Sequence, residues 1–244
     1  MKLEVRIFST TEAIAYQVSE EIANLIRNNV KKNRDTFISF SGGSTPKILF
    51  IKLSDNFNDK IDWKKLHIFW GDERCVTPED DQSNYGMTKK YLLDKIDIPE
   101  KNVHRIRGEG DPQKEVLRIS EVVSRIVPHK HNLPQFNLNL LGLGEDGHTA
   151  SLFPGAKLKN VSDKIYGIAL HPGSKQKRIS LTIDIINNSA QNIFMVTGEK
   201  KADIIYEIMS KKDSFKRFPA ARVKADDTLK WYLDEEAAVK IKMP

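Results

Sequence analysis

The chain has 244 residues, of which 39% are hydrophobic and 30% charged. A chain of this length can bury a core without a disulfide or a metal, and its composition excludes a disordered or low-complexity protein. The net charge of +6 fits either a nucleic acid or a small anion as partner. The densest basic cluster, Lys31-Lys32-Asn33-Arg34, lies at a predicted helix end, and no Lys/Arg tract alternates with aromatic residues. We therefore expect a small anion and no nucleic acid.

Cysteine and histidine are too sparse to predict a metal site. Cys75 is the single cysteine, which excludes a disulfide within the chain and every multi-cysteine metal site. The pair His129-x-His131 lacks a carboxylate at a useful spacing, so we read it as a solvated loop. The start, Met1–Arg6, is too charged for a signal peptide, and no apolar run approaches the ~18 residues of a membrane span. These features predict a cytoplasmic protein without a membrane partner.

Apolar patterns of two periods alternate along the chain. This alternation predicts an α/β fold with a mainly parallel sheet flanked by helices, in a single domain over residues 1–244. The predicted strands are Leu3–Phe8, Thr36–Phe40, Leu66–Trp70, Val103–Ile106, Phe136–Leu141, Tyr166–Leu170, Arg178–Thr182, Asn192–Val196 and Thr228–Leu233. A helix is predicted at each of five start signals: the capping box Ser9-Thr10-Thr11-Glu12, Pro46 with Thr45 or Ser44 as its cap, Ser83, Asp111-Pro112 and Glu199. The helix from Ser83 is predicted to end at Leu93, and the helix from Glu199 at Met209. A surface loop is predicted at Pro154–Lys164.

Three unusual loops follow the predicted strands that end at Phe40, Trp70 and Leu141. In open α/β sheets, ligands bind beyond the carboxyl ends of the strands. We therefore expect these loops to meet at one site.

The first loop has the composition of a phosphate cradle. Gly42 and Gly43 allow the backbone to turn sharply and approach a ligand, and Ser41, Ser44 and Thr45 supply hydroxyl groups. The following helix directs its first N–H groups to the same place, which favours an anion. An ordinary strand-to-helix turn is the alternative reading.

The other two loops carry charged and titratable side chains. Asp72 and Arg74 follow the third strand, and arginine can grip a phosphate or carboxylate with two parallel hydrogen bonds. The glycine-rich run Gly142–His148 places Asp146 two residues before His148. Histidine can accept a proton near neutral pH, and a nearby carboxylate can orient its ring. No Gly-x-Ser-x-Gly elbow is present, which argues against an acyl-enzyme.

Two further cations could complete an anion site. Arg178 opens a strand-like run, and Lys200-Lys201 follow Val196-Thr197-Gly198. Each alone is more typical of a surface charge.

Six sequence blocks span most of the chain: Ser41–Pro46, Asp72-Glu73-Arg74 with Ser83-Asn84, Gly142–Pro154, Arg178–Thr182, Gly198–Lys201 and Phe218-Pro219-Ala220. In this order they resemble the 6-phosphogluconolactonase family. The resemblance implies the fold of sugar-phosphate isomerases, deaminases and lactonases, and hydrolysis of 6-phospho-D-glucono-1,5-lactone without a metal or organic cofactor. It would be the second step of the oxidative pentose phosphate pathway.

The resemblance also implies residue roles. His148 is expected to act as the general base, and Asp146 or Asp72 to orient it or to help fix the site. Ser41, Gly42, Gly43, Ser44, Thr45, Arg178 and Lys201 hold the substrate phosphate, with Lys201 matching the family's Gly-x-x-Lys spacing and Lys200 in reserve. Arg74 binds the phosphate or the oxyanion.

Two other functions stay open from the sequence. One is a deaminase or isomerase of another phosphosugar, although the block after His148 lacks the glutamate of the related deaminases. The other is a non-catalytic phosphosugar-binding regulator, for which we find no spare DNA-binding segment. The sequence does not decide between a monomer and a dimer.

Overall fold

The computed structural model describes residues 1–211 and 215–241. Their strands are β1 (Lys2–Phe8), β2 (Thr36–Phe40), β3 (Leu66–Trp70), β4 (Asp72–Arg74), β5 (His129–Lys130), β6 (Leu133–Pro134), β7 (Leu138–Leu141), β8 (Lys159–Ser162), β9 (Tyr166–Leu170), β10 (Lys177–Leu181), β11 (Gln191–Val196) and β12 (Thr228–Asp234). Their α-helices are α1 (Thr11–Lys31), α2 (Ser44–Asn56), α3 (Asn84–Tyr91), α4 (Pro112–Ile126), α5 (Ile183–Asn188), α6 (Ala202–Met209) and α7 (Glu235–Ala238).

A six-stranded parallel sheet forms the centre, in the order β1-β12-β11-β7-β2-β3. The mixed α/β fold with a mainly parallel sheet is therefore confirmed. Helices pack on the sheet through apolar stripes, as in α1, where Ile14, Val18, Ile22 and Ile26 are all buried.

The chain reverses its direction of travel through this sheet between β2 and β7. It moves outward from β2 to β3, then returns to β7 and continues through β11 to β12. The ladder between β2 and β7 is short, with Ile38 opposite Leu138 and Ser39 opposite Asn139. Such a reversal leaves a crevice at the carboxyl ends of the two strands, which is where open α/β sheets bind ligands.

A second sheet, antiparallel and in the order β4-β10-β9-β8, starts where the first one ends. Gly71 is the single residue between β3 and β4, and it bonds to both sheets: its N–H donates to the Phe40 carbonyl at 2.8 Å, and its carbonyl accepts from Leu181 N–H at 2.8 Å. The loop predicted after Trp70 therefore begins with a strand, which aligns its side chains with those of β10.

Several predicted elements and boundaries are wrong. Val103–Ile106 makes one isolated bridge, from Val103 to Ile68, and forms no strand. The predicted loop Pro154–Lys164 contains β8, which pairs with β9. The helix expected from Glu199 begins with a 3-10 turn, Glu199–Lys201, and becomes α-helical at Ala202.

Two predicted caps also differ. Thr10, and not Ser9, caps α1, because its Oγ1 accepts from Ala13 N–H at 3.1 Å. Gly43, and not Ser44 or Thr45, precedes α2, and no side chain caps that helix. The first N–H groups of α2 therefore lack a side-chain acceptor, which leaves them available to an anion.

Candidate active site

A cavity of about 210 Å³ lies at the reversal point between β2 and β7. The loops after β2 and β7 form it together with β4, β10 and the 3-10 turn before α6. It is lined by Ser41, Gly42, Asp72, Arg74, Gly142, Leu143, Gly144, His148, Ala150, Arg178 and Lys201. The three loops that the sequence predicted to converge do meet here.

His148 and Asp146 form a pair at the edge of this cavity. Asp146 Oδ1 lies 2.5 Å from His148 Nδ1 and also accepts the His148 backbone N–H at 3.1 Å. Burial opposes ionisation of the Asp146 carboxyl, but the hydrogen bonds and charge of His148 outweigh it and lower the pKa of Asp146. With Nδ1 engaged, Nε2 is the ring nitrogen without a hydrogen-bond partner in the described part of the chain.

Two neighbours border the His148 ring. Phe153 packs against it with ring centroids 4.9 Å apart. Gly144 leaves room for it, since a Cβ at this position would lie 2.0 Å from His148 Nδ1 and 2.6 Å from Asp146 Oδ1. A glycine is therefore required at 144 for the ring to keep this position.

Asp72 lies on the cavity wall but bonds to other partners than His148. Its Oδ2 accepts from Ser151 Oγ at 2.6 Å, and its Oδ1 accepts weakly from Asn84 Nδ2 at 3.4 Å. Of the two carboxylates that the sequence offered as partners of His148, the structure brings Asp146 to the ring.

Three cationic side chains line the cavity. Arg74 on β4 and Arg178 on β10 lie directly opposite each other in the antiparallel register. Like charges at such a position are unfavourable unless an anion is shared between them. Arg74 Nε is also buried without a hydrogen-bond partner among the described residues.

Lys201 supplies the third cation. Burial lowers the pKa of Lys201, while the nearby Glu145 and Asp146 oppose that effect. Burial likewise lowers the pKa of Arg178, and Asp72 opposes it. A half-buried arrangement of three cations and one carboxylate is suited to a small anion such as a phosphate ester.

The loop Ser41–Thr45 contributes to two adjoining cavities. Ser41 and Gly42 line the 210 Å³ cavity, and the Ser41 hydroxyl donates to the Leu140 carbonyl at 2.9 Å, which braces β2 against β7. Gly43 (φ +113°) and Ser44 line a neighbouring cavity of about 270 Å³, which shares Arg74. Thr45 lines neither cavity, because its hydroxyl bonds to that of Thr197 at 2.8 Å.

Sequence reasoning assigned no individual role to three residues that support this site. Ser151 and Asn84 hold Asp72, and the buried Glu73 bonds to the start of α3. None of these three residues has a type or a spacing in the sequence that by itself indicates a role in the site. The signal that could have found Asn84 and Glu73 is their position in the motif blocks around Arg74.

Three features bear on other kinds of site in the described ranges, 1–211 and 215–241. They contain no group of three or more His, Cys, Asp or Glu side chains that could hold a metal ion. Burial raises the pKa of the Cys75 thiol to about 11, which keeps it protonated near neutral pH. None of their helices has the length and apolar character that crossing a membrane requires.

The chain belongs to the family described as glucosamine-6-phosphate isomerases/6-phosphogluconolactonase, whose model matches residues 9–231. It is 45% identical over 212 residues to the 6-phosphogluconolactonase of Haemophilus influenzae, covering 86% of this chain and 88% of the relative. A crystal structure of a devB protein superposes with a TM-score of 0.89 at 38% identity, covering 98% of this chain and 100% of the other. The 6-phosphogluconolactonase of Thermotoga maritima gives a TM-score of 0.81 at 25% identity, with 96% and 100% covered.

Proposed function

We propose that this protein hydrolyses 6-phospho-D-glucono-1,5-lactone to 6-phosphogluconate, as the cytoplasmic second step of the oxidative pentose phosphate pathway. One observation carries the proposal: the His148–Asp146 pair and three cations, Arg74, Arg178 and Lys201, surround one small cavity at the reversal point of the sheet. The cations suit a phosphate ester, and the histidine suits an attack by water on a carbonyl. The similarity to 6-phosphogluconolactonases over most of the chain supports the same reaction.

In the binding step, the 6-phosphate is held by Arg178, Lys201 and the loop that precedes α2. Arg74 and Arg178, which are paired in the register of β4 and β10 and both line the cavity, supply donors to an anion bound there, and Ser44 at the start of α2 lines the adjoining cavity that shares Arg74. Binding energy gained at this remote phosphate is used to place the lactone carbonyl at the reacting centre.

In the chemical step, His148 Nε2 accepts a proton from water as the water oxygen bonds to C1 of the lactone. Asp146 accepts a hydrogen bond from Nδ1–H, which fixes the tautomer and stabilises the imidazolium that forms. A general base of this kind contributes roughly 10²–10⁴ in rate. Arg74 stabilises either the phosphate or the developing oxyanion.

In the final step, the tetrahedral intermediate collapses and the bond from C1 to the ring oxygen breaks. The ring oxygen takes the proton from the His148 imidazolium, which restores the base, and the product is the open-chain acid. No covalent intermediate is needed, because the lactone ester is strained and hydrolyses on its own.

A coupled assay tests the proposal. Glucose-6-phosphate dehydrogenase generates the lactone in place, and 6-phosphogluconate dehydrogenase reports its hydrolysis above the spontaneous rate. We expect acceleration by the wild type, its loss in His148→Ala, and its retention in His129→Ala, which changes an exposed histidine of β5.

Two results would contradict parts of the proposal. A near-full rate in His148→Ala would exclude His148 as the general base while leaving the reaction itself in place. An absence of acceleration by the folded wild type would exclude the lactonase, and ammonia release from glucosamine 6-phosphate would then be measured.

A further inference from the structure

Glu73 lies between two cavity-lining residues in sequence, yet it does not line the cavity. It is 2% exposed. Its Oε1 accepts the backbone N–H groups of Arg74 and Asn84, both at 2.8 Å, and its Oε2 accepts that of Tyr85 at 2.7 Å and Ser83 Oγ at 3.2 Å. Burial raises the pKa of this carboxyl, while the backbone hydrogen bonds oppose the rise.

These bonds tie two elements together. Arg74 belongs to β4, whereas Asn84 and Tyr85 begin α3, so a single carboxylate joins the strand to the helix. A buried carboxylate without an ion pair is costly unless every lone pair is used, and the four hydrogen bonds meet that condition.

Three contacts connect residues 82–85, the segment at the start of α3, with residues that line the cavity. Arg74 Nη1 donates to the Gln82 carbonyl at 2.6 Å. Asn84 Nδ2 donates to the Asp72 carbonyl at 2.8 Å. The Asn84 side chain also packs on Gly42, where a Cβ would lie 1.7 Å from Asn84 Oδ1.

We propose that Glu73 is a positioning residue that holds Arg74, through the 82–85 segment, at the geometry that anion binding requires. The Glu73 carboxylate fixes the position of the 82–85 segment, because it accepts hydrogen bonds from the segment's backbone. The segment in turn fixes the position of Arg74, because the Arg74 guanidinium is bonded to Gln82. Asn84 transmits the same constraint to Asp72 and Gly42. This inference rests on the proposed function for its natural substrate, although the anion site itself can be measured without it.

Glu73→Gln tests the role with little change in shape. One carboxylate oxygen becomes an amide nitrogen, which cannot accept a hydrogen bond, so the backbone N–H of either Asn84 or Tyr85 loses its acceptor. We expect KM for the lactone, and the dissociation constant for 6-phosphogluconate, to rise on the order of tenfold, with kcat changed less than about threefold.

Glu115→Gln is the matched control. Glu115 is also buried, at 4% exposed, and accepts a backbone N–H, that of Arg107 at 2.8 Å, but it lies away from the cavity. We expect this variant to lose stability while keeping KM.

A double-mutant cycle separates positioning from general structural damage. If Glu73 acts through Arg74, Glu73→Gln loses most of its effect on the dissociation constant when Arg74 is already alanine. An equal loss in both backgrounds overturns the proposal. Should Glu73→Gln fail to fold, Glu73→Asp, which keeps the charge but shortens the side chain by one methylene and so cannot reach all four donors, is expected to raise KM in the same direction, and an unchanged KM there overturns the proposal as well.

Calorimetric titration with inorganic phosphate and 6-phosphogluconate distinguishes this inference from the proposed function. If the wild type binds both anions but does not hydrolyse the lactone, the proposed reaction is wrong. The double-mutant cycle, measured on the dissociation constants of the anions, then still decides the role of Glu73. If the folded wild type binds neither anion, the positioning role is wrong too.

Discussion

Gly144→Ala probes the placement of the His148 ring with a single added methyl group. Its Cβ would lie 2.0 Å from His148 Nδ1 and 2.2 Å from Cε1, whereas ordinary contacts begin near 3.4 Å. The ring must therefore move by about 1.4 Å or rotate away. A displacement of ~1 Å at a reacting group costs on the order of 10²-fold in rate, or about 2.7 kcal/mol of activation free energy.

The stability cost of this substitution should be small. His148 is only partly buried, with 28% of its side chain exposed, so it can move toward solvent without opening the core. Gly144 also has no positive φ, so alanine adopts its backbone conformation without strain. We therefore expect kcat to fall on the order of 10²-fold while KM and the unfolding midpoint change little.

The coupled lactone assay measures both kinetic constants, and urea unfolding measures stability. Gly110→Ala serves as the control, because its Cβ would have no neighbour closer than 3.6 Å and it lies outside the cavity. A folded Gly144→Ala enzyme with kcat close to that of the wild type would refute the argument that this ring position is catalytic.

Two further predictions concern the cavity, and a third concerns the pH dependence of stability. Asp146→Asn should lower kcat by roughly 10²–10⁴-fold with KM nearly constant, since it removes the charge that orients the His148 ring and stabilises its imidazolium form. A coupled assay in which KM changes and kcat does not would contradict this. Arg178→Ala should raise KM by on the order of tenfold before it affects kcat, and an unchanged KM would remove Arg178 from the phosphate site. Burial, with the neighbouring His67, lowers the pKa of His104 from 6.5 to about 4, so the unfolded state binds more protons in this range. The unfolding free energy should therefore fall as the pH drops from about 6.5 to about 4, and urea titrations should show a smaller fall in His104→Phe.

Local patterns predicted most of the sheet. The strands β2, β3 and β9 have the predicted bounds, and β11 and β12 differ by one residue at an end. Apolar side chains predominate in these strands and most of their residues are buried, so burial dominates over local alternatives. The cap of α4 was also predicted, because Asp111 before Pro112 is a strong local signal and its carboxylate accepts two N–H groups of the first turn.

Local patterns failed where a tertiary contact decides the conformation. Asp72–Arg74 has the polar composition of a turn, but β10 pairs with it and makes it a strand. Lys159–Ser162 is polar and exposed, and only its pairing with β9 makes it β8. The partner of β4 lies about a hundred residues away, which leaves no local signature, whereas β8 pairs with the neighbouring β9 although its own residues, Lys-Asn-Val-Ser, have little strand propensity.

The sequence by itself determined the α/β class and the three loops at the carboxyl ends of parallel strands. It also determined the spacing of Asp146 and His148, because two residues in one tight glycine-rich loop are necessarily close. Only the tertiary structure decided that Asp146 rather than Asp72 bonds to His148, that Arg74 lies opposite Arg178, and that Glu73 joins β4 to α3. These relations join residues up to about a hundred positions apart, and they depend on sheet order and register, which the packing of the whole chain sets.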